Sequence, residues 1–194
     1  MEKPFNFYRD KAQLYTDQLR DIKNKYRLIA FLRLVSFLAF LIAGYQWLSL
    51  RSGLLLTIAI VSIITFIVLI RMALRLNDRK LLVEKLLFIN ENEISILQNQ
   101  PSGFNDARHL ATNDDYSGDL DIFGPGSLYQ LLNRTTTYHG TRQLAGMLQQ
   151  PLMDKKQIEA HQEADKAVSG QKDLRQLITA HGLLHEENEG NLYD

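Results

Sequence analysis

The chain has 194 residues, with 22 basic and 22 acidic side chains and no cysteine. The lack of cysteine excludes a disulfide framework and a thiolate site. The neutral total hides an asymmetry: bases gather around two apolar runs, while the tail from His185 to Asp194 is rich in acids.

Residues 1–27 repeat apolar side chains at Tyr8, Ala12, Tyr15, Leu19, Ile22 and Tyr26, with Arg9, Asp10, Lys11, Asp17, Arg20, Asp21 and Lys23 between them. That spacing predicts an amphipathic helix with a coiled-coil-like seam. It leads through Ile29 into the first apolar run without Pro or Gly, so one helix is expected to continue from water into that run.

Residues 28–74 read as a transmembrane helical hairpin with spans at 28–48 and 53–72, joined by a polar turn at Ser49, Arg51, Ser52 and Gly53. Gly53 to Ile70 contains no charged side chain, and its polar residues are only Ser and Thr. At a rise of about 1.5 Å per residue, roughly 20 apolar residues cross a hydrocarbon core, and this run leaves no face for water. Arg33 interrupts the first span close enough to its start for the guanidinium to return to the headgroups. Tyr45 and Trp47 mark the opposite interface, and Arg71 follows the second span. The alternative is a pair of buried helices in a soluble core. Arg9, Lys11, Arg20, Lys23, Lys25 and Arg27 precede the hairpin, Arg71, Arg75, Arg79, Lys80 and Lys85 follow it, and Arg51 stands alone in the turn. The positive-inside rule then places both termini in the cytoplasm. A cleaved signal peptide does not fit, because the run follows a long charged segment and lacks a small-residue cleavage site.

Residues 75–97 extend the second span as a cytoplasmic helix with an apolar stripe of Leu76, Val83, Leu86, Leu87, Ile94 and Leu97, interrupted by Asn90. The two extensions are expected to pair antiparallel; two separate amphipathic helices on a lipid surface are the other reading. Residues 98–118, rich in Asn, Asp, Ser and Gly around Pro101, read as a linker. His109 lies in it. His181 and His185 share a helical spacing, but Gly182 is expected to end the helix between them, so no metal ligand set is expected.

Residues 119–194 begin with Leu120 and Ile122 alternating with Asp119 and Asp121, as in a short strand, followed by a turn at Gly124, Pro125 and Gly126. Ser127 and Gln130 form a capping box for a helix with Leu128, Leu131 and Leu132. Asn133 to Thr137 resists helix continuation. A further helix runs through Leu144 and Leu148 to about Gln149 and is closed by Pro151. Asp154 and Gln157 cap the next, which carries Ile158, Ala164 and Val168. The last is expected at Lys172 to His181 with Leu174, Leu177 and Ile178 inward.

At these residues the chain resembles a known family. The element containing Asp119, Asp121 and Phe123, the helix opening at Ser127 and Leu128, the Asn-Arg-Thr-x-Thr-x-x-Gly pattern of Asn133, Arg134, Thr135, Thr137 and Gly140, and Pro151 with Ile158 are similar to the start of the MutS core, the lever region that precedes its ATPase. The resemblance covers about Asp119 to Gly182. Together with the hairpin it is similar to membrane-anchored MutS-related ATPases of Bacteroidetes-type bacteria. It implies a mainly α fold, a two-span hairpin with cytoplasmic extensions and then a small lever-type helical fragment with one short strand, in a bacterial inner membrane. It implies homodimerisation and DNA contact, and ATP with Mg in full-length relatives. The motif residues are expected to be structural. One departure is visible: where the family commonly has Arg-Gln, this chain has His161 and Gln162.

No Gly-x-x-x-x-Gly-Lys-Ser/Thr motif and no Phe-x-Glu wedge occur in the sequence, so this chain is expected to be non-catalytic, to hold no cofactor of its own, and to be a fragment or truncated gene product that ends soon after the start of the lever. The carboxylate groups Asp114 with Asp115, Asp119 with Asp121, and Glu186, Glu187 with Glu189 lack a converging His or Cys and read as solvated. The bases stand beside the bilayer, where anionic lipid is the nearer partner, and no aromatic-basic platform for nucleic acid appears. Two functions compete: the anchor and lever start of a MutS-related DNA-binding ATPase, and a non-catalytic membrane scaffold whose cytoplasmic helices bind a partner.

Overall fold

The computed structural model describes residues 4–111 and 120–190, with residues 186–190 described for their backbone alone. Asp114, Asp115 and Asp119, and the side chains of Glu186, Glu187 and Glu189, lie outside the described residues. The described helices are α1 (Pro4–Leu50), α2 (Gly53–Leu97), α3 (Leu128–Leu132), α4 (Tyr138–Gln149), α5 (Lys155–Ser169) and α6 (Lys172–Gly190), with a 3₁₀ turn at Arg108–Leu110. They fall into two compact units, residues 15–84 and residues 1–14 with 85–194.

The first unit is a helical hairpin. The amphipathic seam and the first apolar run form one unbroken helix, α1, whose buried residues Leu19, Ile22, Ile29, Ser36 and Ala43 continue a single stripe. Ile29 packs on Leu69 and Ala73 of α2 with Leu76 beside them, and the Phe37 and Phe66 rings lie 5.6 Å apart. Phe37 and Phe66 stand equally far from the connection, which gives the antiparallel register. The reversal is made at Arg51, whose φ of 48° is left-handed; its N–H donates to the Trp47 carbonyl at 2.9 Å and its guanidinium lies 5.8 Å over the Trp47 ring. Gly53, the expected turn residue, instead opens α2.

Both helices are long and apolar enough to cross a membrane, and the protein covers only 17% of the most apolar window of α1 and 11% of that of α2. Phe31, Ile42, Leu54 and Val61 point outward among many other large apolar side chains. The core helix of a soluble protein would have most of this surface covered.

The second unit gathers the start of α1, the end of α2 and α3–α6. At its centre Asn90 and Gln176 are buried and exchange hydrogen bonds: Gln176 Nε2 donates to Asn90 Oδ1 at 2.9 Å, and Asn90 Nδ2 donates to Gln176 Oε1 at 3.3 Å. Asn90 Nδ2 also reaches the Leu86 carbonyl at 2.7 Å. Asn90, which broke the apolar stripe in the sequence, is thus the amide that ties α2 to α6.

Several expectations are corrected here. Leu120 and Ile122 form no strand, and none occurs among the described residues. Asp121 takes a left-handed φ of 47°, and the Asp121 and Ile122 carbonyls accept from the N–H groups of Leu128 and Tyr129. These bonds occupy groups that a ladder would need. The stretch read as a linker packs through Phe104, whose ring lies 5.7 Å from Phe88, and through Ala107, which is fully buried. Gly182 does not end the last helix; α6 continues to Gly190. Its inward residues are Gln176 and Ala180, whereas Leu174, Leu177 and Ile178 are exposed, Ile178 by 63%. In α3, likewise, Tyr129 is buried while Leu128, Leu131 and Leu132 are half exposed.

Gly182 is where α6 meets the threonine run: a Cβ built there would stand 2.7 Å from Thr136 Cβ and closer still to its Oγ1. Gly182→Ala is therefore expected to destabilise the second unit by about 1–3 kcal/mol, the usual cost of overpacking. Thermal loss of helical circular dichroism should show this, and Thr136→Gly should restore the midpoint of the Ala variant. Equal midpoints for wild type and Gly182→Ala would refute the close approach.

Candidate functional site

The motif from Ser127 to Gly140 forms a connected polar cluster. Ser127 caps α3, its Oγ accepting from the Gln130 N–H at 3.2 Å. Gln130 completes the cap in an altered form: its Oε1 accepts from the Gly126 N–H at 2.7 Å, while its Nε2 donates to the Ser102 carbonyl at 3.1 Å. The turn before it needs glycine at Gly124 and Gly126, which have φ of 106° and 74°. Tyr129 is fully buried with Ala107 and Ala145, flanked by Phe123, Leu144 and Leu148.

Asn133 ends α3 and is buried. Its Nδ2 donates to the Asn105 carbonyl at 2.9 Å, and its Oδ1 accepts from Thr135 N–H at 2.8 Å and from Thr135 Oγ1 at 2.7 Å. Thr135 and Thr141 share a hydroxyl contact of 3.0 Å. Thr137 caps α4 by accepting from Gly140 N–H at 3.1 Å, and a Cβ at Gly140 would crowd that same hydroxyl at 3.0 Å. The threonine run therefore stops one helix and starts the next.

Arg134 turns to the end of α2. Its guanidinium pairs in a fork with Glu93, Nε on Oε1 and Nη2 on Oε2 at 3.1 Å, and lies 5.6 Å over the Phe104 ring. A planar two-bond pair of this kind fixes orientation as well as charge.

Beside this pair opens a cavity of about 490 Å³ lined by residues of α1, α2, α3 and α6, among them Tyr8, Ile89, Leu132, Lys172, Arg175 and Thr179. Burial pushes the Tyr8 phenol above its ordinary pKa and the Glu93 carboxylate adds to this, against the opposing pull of Arg175 and Arg134. Tyr8 therefore stays a neutral O–H group at physiological pH.

The remaining residues singled out from the sequence are dispersed. Pro151 follows α4 and is exposed, and Ile158 is half-buried on α5. Asp154 caps α5 through the Lys156 N–H at 3.4 Å rather than through Gln157. His161 and Gln162 are exposed on α5. In the hairpin unit Arg33 and Trp47 are half-buried, and Tyr45 and Arg71 are exposed. His181 and His185 do share α6, contrary to the expected break, yet no three His, Asp or Glu residues converge as a metal site among the described residues. Sequence reasoning missed Glu93, Asn105, Tyr129 and Gln176; only Asn90, a polar residue on an apolar stripe, signalled that a buried partner was needed.

The family model MutS domain III matches residues 109–185. This part of the chain is MutS-related. Over 79 residues it is 34% identical to the DNA mismatch repair protein MSH3 of Vanderwaltozyma polyspora, a match that covers 39% of this chain and spans 8% of that protein's length. No solved structure matches. The MutS-related segment contains the whole motif cluster, but two of the cluster's partners, Glu93 and Asn105, precede it.

Asn133→Ala would leave the Asn105 carbonyl and the Thr135 N–H without their partner; both bonds are only partly buried, so the loss is expected at about 1 kcal/mol for each. A fall in the thermal midpoint of the second unit is expected, smaller for Asn133→Asp, which keeps the acceptor for Thr135. Equal effects of the two substitutions would contradict the two-sided role.

Proposed function

We propose that this chain is the membrane-anchored beginning of a MutS-type lever, serving a DNA-binding ATPase. The observation that carries the proposal is a juxtaposition within one chain: a MutS domain III segment follows two helices whose apolar windows are almost uncovered by protein. Lipid is the solvent that suits such surfaces, and the excess of Lys and Arg at the outer ends of both helices favours an arrangement with both termini in the cytoplasm. In a bacterium this means the inner membrane.

In this reading α1 and α2 anchor the protein, and the helices after Leu97 provide the start of the lever. Homodimerisation, DNA contact and coupling to ATP and Mg come from the family likeness. The sequence holds no Walker A motif, so ATP hydrolysis belongs in this proposal to a separate ATPase segment, and this chain acts without catalysis. The exposed apolar side chains of α3 and α6 favour a second reading, a membrane scaffold that binds a partner through these helices.

An integral anchor predicts that the protein stays in the membrane pellet through high salt and alkaline carbonate, since two spans bury far more apolar area than a surface helix. Release by carbonate alone would overturn it. A reporter active only in the periplasm, fused after Asp194, should be silent. The lever reading further predicts a Walker A sequence encoded by the same or an adjacent gene, whereas a locus without one would leave the scaffold.

A further inference from the structure

The cavity beside the Arg134–Glu93 pair has walls of two kinds. Ile89, Leu132 and Ile178 give it an apolar side, and Tyr8, Lys172 and Arg175 give it a polar one. Its volume, about 490 Å³, is that of a small-molecule site. Its charge is unbalanced, and the ion pairs around it explain why. Glu93, the one acid among the described residues that line it, has both carboxylate oxygens engaged by Arg134. Asp173, which follows Lys172 in sequence, is turned to Lys11 at 2.7 Å. Lys172 rests 4.7 Å over the Phe7 ring, a contact that leaves its charge in place. Arg175 has no ion pair among the described residues and stands one helical turn beyond Lys172 on α6.

Both nearby acids are therefore spent on other bases, and two cations face the same space. A cationic ligand would find no free carboxylate. A neutral apolar one would gain nothing from the two cations, which are exposed. We infer that this cavity is a binding site for an acidic amphiphile, a phosphate or carboxylate carried on an apolar body. The anionic group sits between Lys172 and Arg175, where Tyr8 can donate a further hydrogen bond, and the apolar body lies along Leu132 and Ile178. The site stands whether the chain serves as a lever or as a scaffold, since it depends only on the second unit.

Calorimetric titration of the full chain in nanodiscs of neutral phosphatidylcholine tests this with hexyl phosphate, inorganic phosphate and hexanol as probes. Saturable one-to-one binding of hexyl phosphate is expected, with inorganic phosphate and hexanol each at least tenfold weaker. Arg175→Gln, at an exposed position, should weaken hexyl phosphate at least tenfold. Ile178→Ala, also exposed, should weaken hexyl phosphate several-fold and leave inorganic phosphate unchanged. Binding of hexyl phosphate unaltered by Arg175→Gln, or hexanol as strong as hexyl phosphate, would overturn the inference. Repeating the titration in nanodiscs with anionic phospholipid separates the two sources of such a ligand: competition supports a lipid headgroup in the site, and unchanged affinity supports a soluble organic anion.

Discussion

The second unit depends on one buried contact, the reciprocal amide pair of Asn90 and Gln176. Buried amides that lack partners are costly, so each of these side chains is tolerable only with the other in place. The pair therefore selects one rotation of α6 against α2, because a turn of either helix would leave Asn90 Oδ1 and both amide atoms of Gln176 unmatched in an interior of low dielectric. That rotation puts Ala180 inward and brings Gly182 against Thr136. It also sends Leu174 and Ile178 outward, although their apolar character alone would have buried them. One helical turn beyond Asn90, Glu93 receives Arg134, so a single face of α2 fixes both α6 and the motif loop.

The hairpin unit obeys the opposite rule. Between Leu34 and Ile70 its only charged side chain is Arg51, and the contacts there are made by small residues and rings: Ser36, Ala43 and Ala59 are buried, and Phe37 meets Phe66. Ser36 satisfies itself by donating to the Arg33 carbonyl at 3.0 Å, as does Thr57 to the Leu54 carbonyl at 2.8 Å. Hydroxyls that bond back to their own helix place no polar demand on the side chains around them.

Periodicity and length made the two long helices legible in the sequence, and caps made two of the short ones legible: Ser127 and Asp154 stand where α3 and α5 begin. What could not be read were features set by partners distant in sequence. Alternation at Leu120 and Ile122 suggested a strand, but a strand needs a neighbour, and the carbonyls there serve the first N–H groups of α3. Gly182 looked like a helix terminator because glycine serves both as a cap and as a site of close approach, and only the position of Thr136 decides between them. The motif residues Asn133 and Arg134 were visible as a pattern, but their roles required Asn105 and Glu93, which nothing in the pattern names.

The placement of those partners bears on how the MutS-related segment is used. Its two most tightly held motif residues reach back before residue 109, Asn133 to the packed stretch around Phe104 and Arg134 to α2. The stretch around Phe104, which looked like a spacer, is the second attachment. Both attachments lie within the second unit, so the motif cluster and the residues just before the MutS-related segment are packed as one body.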